Sequence, residues 1–272
     1  MKWKQLVRSK PMMIGASLIA LLFALMMTSL FYTPYGPNEM NTAMRLAHPQ
    51  PSHWWGTDNF GRDIFSRIME GTQTAFLIGF SSVAIGLIFG LLVGAVAGYS
   101  GGWLDEVLMR IIDAKLAFPG ILLAIMLVTV FGPGLGNTIV ALGVMSIPAF
   151  SRIARSGFIQ YKEFAFVKAA TARGAGPLRI VFHHILPNIA SPLIVAASLR
   201  FSGSILAEAG LSYLGLGVQP PNPSWGRMLS EAQPFIVNAP WYVLITGAVI
   251  TTMVLGFNLL GDGLRDVYDN KG

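Results

Sequence analysis

Apolar residues in this chain fall in long uncharged blocks, not at the spacing of a single helix face, and the blocks predict six membrane spans. Residues 12–32 are 21 positions without a charge, where about 20 suffice to cross a hydrocarbon core of ~30 Å. This block follows Lys2, Lys4, Arg8 and Lys10 and leaves through Phe31-Tyr32-Thr33-Pro34. A cleaved signal core runs only about 7–15 residues and ends in a small-residue cleavage site, so the block reads as a retained span. The second span is 74–99, the third about 119–131, the fourth about 137–150 with Pro148 inside it, the fifth about 192–216 and the sixth 241–260. The third and fourth are short for a crossing and are expected to borrow flanking residues. Trp241 and Tyr242 suit an interfacial aromatic belt.

The polar intervals carry the rest of the pattern. Residues 33–72 contain Pro34, Pro37, Pro49 and Pro51 and the run GTDNFGRDIFSR, and 101–118 is amphipathic, with Asp105, Glu106, Arg110, Asp113 and Lys115. The interval 162–187, KEFAFVKAATARGAGPLRIVFHHILP, reads as two short helices around a hinge. Residues 162–173 lack Gly and Pro and are rich in Ala, which favours a helix. Gly174-Ala175-Gly176 supplies the stop, Pro177 suits a first turn, and Pro187 is expected to end the second helix. Within span two, Gly86, Gly90, Gly94 and Gly98 recur every four residues, a ridge for close helix packing in lipid.

Composition agrees with the blocks. Only 12% of the 272 residues are charged and mean hydropathy is +0.59, against about 25% charged in soluble domains. The chain is an all-α integral membrane protein on this reading. The formal net charge of +6 does not point to nucleic acid, because the basic residues sit in the intervals between apolar runs. With a cytoplasmic N-terminus, the segments 1–11, 100–118, 151–191 and 261–272 lie inside and hold 14 of the 19 Lys and Arg. The outside segments hold 4, and the remaining one, Arg200, lies within span five. The positive-inside rule therefore places both termini and 162–187 in the cytoplasm. The chain divides into 1–73 (N-terminus, first span and extracytoplasmic loop), a five-helix core over 74–262 carrying 162–187, and a cytoplasmic tail over 263–272.

Sites for chemistry are scarce. No G-x-x-x-x-G-K-[ST], no G-x-G-x-x-G and no H-E-x-x-H occurs, so neither a phosphate loop nor a helical zinc pair is encoded. His183 and His184 are adjacent and point about 100° apart on a helix. His48 and His53 near Asp58 and Asp63 are weak grounds for a divalent ion. No cysteine is present, which excludes disulfides and thiolate metal sites. No nucleophile–base pair falls at membrane depth. The expectation is a transport subunit, not an enzyme, with no metal and no cofactor of its own. Two charges do lie within span five, Arg200 and Glu208. Such charges are costly in lipid and usually face a bundle interior or an aqueous path. Eight residues apart, they lie about 80° apart around a helix and about 12 Å along it, too far to pair.

At KAATARG…HILP the interval resembles the EAA loop of importer-type ABC permeases. Ala169, Ala170, Gly174, Leu186 and Pro187 match its pattern; Lys168 stands where the motif has Glu, with Glu163 nearby. Three further stretches are similar to the dipeptide/oligopeptide/nickel permeases, in particular their C-type subunit. These are Gly56-Thr57-Asp58 with Gly61-Arg62-Asp63 and Ser66-Arg67; Glu208 to Gly217 followed by Pro220-Pro221 and Ser224-Trp225-Gly226; and Asn258 to Asp266. The matches run in order from about residue 54 to 269.

The resemblance implies a type I ABC importer transmembrane-domain fold in the plasma (inner) membrane of a prokaryote. It implies a homologous second permease, two ATPase subunits that hold ATP and Mg, an extracytoplasmic solute-binding protein, surrounding membrane lipid and no nucleic acid. Glu163, Lys168, Ala169, Ala170, Gly174, Leu186 and Pro187 would couple to the ATPases, and Arg200, Glu208 and Ser212 would line the translocation path. Peptide is the first expectation for substrate, with nickel or a nickel chelate as the alternative within the family. A self-sufficient secondary transporter and a membrane scaffold without transport are the alternatives outside it.

Overall fold

The computed structural model describes residues 9–269; Lys2, Lys4, Arg8 and Lys271 of the charge pattern, and the last three residues of the expected tail, lie outside the described residues. The chain forms helices α1 (Lys10–Ser29), α2 (Ile64–Ser100), α3 (Gly102–Leu116), α4 (Gly120–Phe131), α5 (Leu135–Lys162), α6 (Ala165–Ala172), α7 (Pro177–Tyr213), α8 (Trp225–Ala232) and α9 (Pro240–Asp269). The only β pairing among the described residues is two isolated bridges in the 33–63 loop. Five helices, α1, α2, α5, α7 and α9, are long and apolar enough to cross a membrane, and α3 and α4 form a pair bent by 88°.

The closest helix pair is α2 against α5, and its glycines explain why. A Cβ placed on Gly86 would lie 2.5 Å from the Ser146 Cβ, and one on Gly90 2.6 Å from the Phe150 Cβ. On Gly94 it would lie 2.6 Å from the Ala154 Cβ, and on Gly98 2.7 Å from the Phe158 Cβ. These separations are far inside van der Waals contact, so only glycine permits this backbone approach. Both series rise by four together, which means that α2 and α5 run in the same direction.

That parallel arrangement requires the chain between them to return across the bilayer. At 12 residues, α4 covers about 18 Å, too little for a full crossing. The bent α3–α4 pair therefore makes the third of six passages as a broken one. The flanking residues that this short span borrows are turned nearly at right angles to it.

The helices outrun the expected spans. Asp63 starts α2 ten residues before 74, its carboxylate accepting the Ser66 N–H at 2.8 Å, a side-chain N-cap. Helix α5 runs 28 residues straight through Pro148; the Pro148 carbonyl accepts the Ser151 hydroxyl at 3.0 Å. Helix α9 continues to Asp269, so 263–269 prolong the last helix and form no separate tail. Helix α1 lies antiparallel on α9, where a Cβ on Gly15 would fall 2.6 Å from the Gly256 carbonyl oxygen and one on Gly263 2.7 Å from the Met12 nitrogen. At the centre of the bundle Phe201 of α7 stacks on Phe257 of α9 with ring centroids 3.7 Å apart, and Phe76 and Phe80 of α2 close the cluster. Rings arranged this way contribute about 0.5–1.5 kcal/mol per pair beyond their burial.

Candidate coupling surface and translocation face

The 162–187 interval does not form one helix followed by another that stops at Pro187. Helix α5 ends at Lys162, whose ammonium donates to the Gly98 carbonyl of α2 at 3.1 Å. Extended backbone at Phe164 then sets α6 off as a helix of only eight residues. Gly174 closes α6 at φ +82°. Its N–H bonds to the Thr171 carbonyl at 2.9 Å and the Ala175 N–H to the Ala170 carbonyl at 3.1 Å, the paired hydrogen bonds of a Schellman stop.

The second helix, begun at Pro177, runs on without a break into α7. It passes Pro187 through a π-helical segment, Ile180–Ile185, in which the Leu186 N–H reaches back five residues to the Val181 carbonyl. Proline in an α-helix clashes with the carbonyl four residues before it. Widening the preceding turns gives the ring room, so the helix survives where the sequence predicts a stop.

Val167 is the buried residue of α6, 3% exposed. It belongs to the same core as Ile180, Ile185 and Ile189 of α7. Most of the rest of the hinge faces outward. Lys168, Ala169 and Gly174 are exposed, Ala170 is half-buried, and a Cβ on Gly174 or Gly176 would meet nothing within 4 Å. Lys168 pairs with Glu163 at 2.9 Å, both side chains open to solvent. That hydrogen bond, and then the Lys168 charge, hold the Glu163 carboxyl below its usual range. Leu186 is half-buried and Pro187 exposed, at the foot of α7. Beside them stand Phe164, Phe166, Phe182 at 57% and Leu178 at 74% exposure. Exposed apolar side chains in a segment that also exposes Lys168, Arg173 and Arg179 make a surface suited to being covered.

The three residues expected on a translocation path are not together. Glu208 and Ser212, 3% and 1% exposed, turn into the chain's own 214–224 loop. The Ser212 hydroxyl donates to Glu208 at 2.6 Å and accepts the Val218 N–H at 3.0 Å, and Ser224 also bonds to Glu208. Gly217 and Gly226 are as crowded as the α2 ridge, the first against Ser212 and the second against Ala209. Arg200 lies on a different side of α7 and is exposed, with no hydrogen bond or ion pair among the described residues.

The chain as a whole has relatives among known proteins. Residues 86–271 match the family described as binding-protein-dependent transport system inner membrane component. The chain belongs to that family. It is 46% identical to a dipeptide transport system permease protein DppC of Alkalihalophilus pseudofirmus, over 99% of this chain and 88% of that one. It is 42% identical to a glutathione transport system permease protein GsiD of Pectobacterium atrosepticum, over 99% and 90%. It is 41% identical to a di/tripeptide transport system permease protein DppC of Pseudomonas aeruginosa, over 99% and 91%. Among solved structures, the MetNI methionine ABC transporter matches with a TM-score of 0.60 at 21% identity, over 74% of this chain and 96% of that one. The fold is that of a type I ABC importer transmembrane domain, and the chain is a transport subunit.

Two charge clusters of this permease lie outside the residues expected to couple to the ATPases or to line the path. At the end opposite 162–187, Asp58 accepts from Arg62 Nε at 2.6 Å, and Arg62 Nη2 reaches Glu231 of α8 at 2.7 Å. Arg67 stands 3.5 Å from Asp58 and 3.7 Å from Glu231, Arg227 bonds to Glu231 at 3.3 Å, and the Tyr242 hydroxyl lies 3.5 Å from it. His53 bonds Asp63 at 2.9 Å and His48 stacks on Trp241, so this loop uses its histidines and aspartates internally. No group of three or more metal-capable side chains occurs among the described residues. The second cluster ties α5 to α3: Arg155 grips Asp105 with two bonds, at 2.5 and 2.6 Å, and Arg152 reaches Asp113 at 2.7 Å. Asp58–Arg62 and Arg227–Glu231 are four-residue pairs within one segment; the links that join separate intervals, in both clusters, have no fixed spacing and so show only in three dimensions.

Proposed function

We propose that this chain is one of two permease halves of an ATP-driven importer of short peptides in a prokaryotic inner membrane. A homologous second permease completes the path, two ATPase subunits holding ATP and Mg dock on 162–187, and an extracytoplasmic solute-binding protein delivers substrate to the 33–63 and 214–240 side. Both termini are cytoplasmic on this reading, supported by the bias of Lys and Arg. Peptide is favoured over nickel because the relatives named above carry dipeptides, di/tripeptides and glutathione.

The observation that carries the mechanism is the continuity of α7. One helix of 37 residues runs from the exposed hinge, past Arg200, to the buried Glu208–Ser212 clasp. A displacement of α6 and of the foot of α7 is thereby delivered along a stiff rod to the wall of the path, with no loop to absorb it. Glu163, Lys168, Ala169, Ala170, Gly174, Leu186 and Pro187 form the gripped surface. Arg200 faces the path, and Glu208 and Ser212 anchor the wall behind it.

The test is competitive uptake of a labelled dipeptide and of radioactive nickel by cells with and without the gene. Gene-dependent dipeptide uptake that excess nickel leaves intact is the expected result; gene-dependent nickel uptake alone transfers the reading to the metal branch. Accumulation by the purified chain in liposomes with no ATPase present would falsify the division of labour itself.

A further inference from the structure

We infer that Arg200 is the group in this permease that recognises a free carboxylate on the transported substrate, an inference that rests on the peptide-importer reading above. Arg200 sits halfway along the 28-residue regular part of α7, Leu186–Tyr213, roughly 20 Å from either end at 1.5 Å per residue. The neighbouring Phe201 is stacked into the aromatic core, which puts the guanidinium at the level of the bundle's apolar middle. It is exposed there and has no ion pair or hydrogen bond among the described residues.

Guanidinium cannot be neutralised in a protein, so at this depth it needs water or an anion. Helices α2, α5, α6, α8 and α9 pack on α7 and bury Phe201, Ser202 and Ile205, while Arg200 beside them stays exposed. The exposed side carries Pro192, Gly203, Leu206 and Tyr213, with Arg200 at its edge. A Cβ on Gly203 or Gly210 would meet nothing within 4 Å. The open space at these two glycines lies beside a planar five-donor fork, which can hold a carboxylate by two parallel hydrogen bonds.

The anion on the second permease is the rival occupant, and the motion argues against it. A permanent buried ion pair across the face that must open would have to be broken in each cycle, leaving both charges uncompensated. A carboxylate that arrives and departs with the cargo avoids that cost. Peptides with a free C-terminus bring such a group.

The experiment uses the assembled importer in proteoliposomes with a dipeptide and the same dipeptide amidated at its C-terminus. The unaltered complex is expected to prefer the free acid. Arg200→Gln should raise KM for the free acid about tenfold or more, leave the amide unchanged, and so abolish the preference. Arg200→Lys, which keeps the charge and loses the fork, should fall between. An unchanged acid-to-amide ratio in Arg200→Gln overturns the inference and leaves the importer reading standing. Failure of Arg200→Gln to assemble with the second permease also overturns it, because the charge then holds the halves together. An unaltered complex that moves neither peptide overturns the peptide reading, and the inference with it.

Discussion

The two ends of this permease treat charge and glycine in opposite ways. At the end carrying the 33–63 loop, Asp58, Arg62, Arg67 and Glu231 are packed against one another, and a Cβ on Gly56 would lie 2.8 Å from the Trp241 ring nitrogen. At the 162–187 end, Lys168 and Glu163 pair in the open, and a Cβ on Gly174 would touch nothing. Both ends hold glycines at positive φ, Gly56 and Gly61 at one and Gly174 at the other. At the first the conformation serves a crowded fold that is complete within the chain. At the second it serves a turn whose surroundings are empty, with aromatic side chains exposed beside it. Interactions that close on themselves hold the molecule together, and those left open are the ones available to a partner.

The largest expected effect is on the closed end. Glu231→Ala removes the carboxylate shared by Arg62, Arg67 and Arg227. Breaking a fully buried pair from one side costs about 3–5 kcal/mol, and the 16% exposure of the Glu231 side chain puts this case at or below the lower end. Thermal unfolding of the purified permease in detergent should show a marked loss of stability; an unaltered melting curve would mean that the cluster contributes no net stability. Next comes the α2 ridge. Gly94→Leu forces a side chain against the Ser151 carbonyl, the Ala154 Cβ and the Arg155 nitrogen of α5, and overpacking of this kind costs about 1–3 kcal/mol. The same melt should fall, whereas Gly203→Leu on the open side of α7 should leave it nearly unchanged.

At the open end the effects move from stability to coupling. Gly174→Val places a β-branched residue in the left-handed region, at about 1–2 kcal/mol of local strain, without any clash. Global unfolding should barely shift, and substrate-stimulated ATPase activity of the assembled complex should drop sharply. Retained stimulation would remove the hinge from the transmission path. Lys168→Glu reverses a charge and should weaken ATPase assembly most at low ionic strength, with the difference fading as salt is raised.

The smallest effect concerns the Glu163–Lys168 pair. The Glu163 carboxyl is depressed below its ordinary 4.5, so its contribution is complete above that value and is lost as pH falls through the lower one. Hydrogen-exchange protection across α6, taken relative to the intrinsic rate at each pH, should therefore be flat from neutral pH down to the ordinary carboxylate range and fall only below it. A change near neutrality would remove this pair as the cause.

How much of this was legible beforehand differs element by element. The uncharged block at 12–32 could only be a span, because its length alone matches the bilayer. The passage 119–131 was visible as too short, but its right-angled partner was not, since an amphipathic helix looks the same lying flat or leaning on a neighbour. Pro187 read as a helix end because local rules count the lost hydrogen bond and the clash. They do not count a π-helical stretch stabilised by Ile180, Ile185 and Ile189 in the core. Glu208 and Arg200 looked alike as charges in one span, and eight residues of spacing set their angular separation. Which of them faced inward depended on α8 and the 214–224 loop folding back onto Glu208.

What the chain's order of residues determined by itself is therefore every property that repeats along one axis: the spans, the glycine period, the hinge, and the motifs shared with its relatives. What only the tertiary structure decided is which charges are consumed and which are left over. Asp58 and Glu231 are 173 positions apart and meet Arg62 and Arg67 between α2, α8 and α9; no periodicity encodes such a meeting. Burial is a property of the space between helices, and a side chain becomes committed or available only once its neighbours from distant segments have arrived.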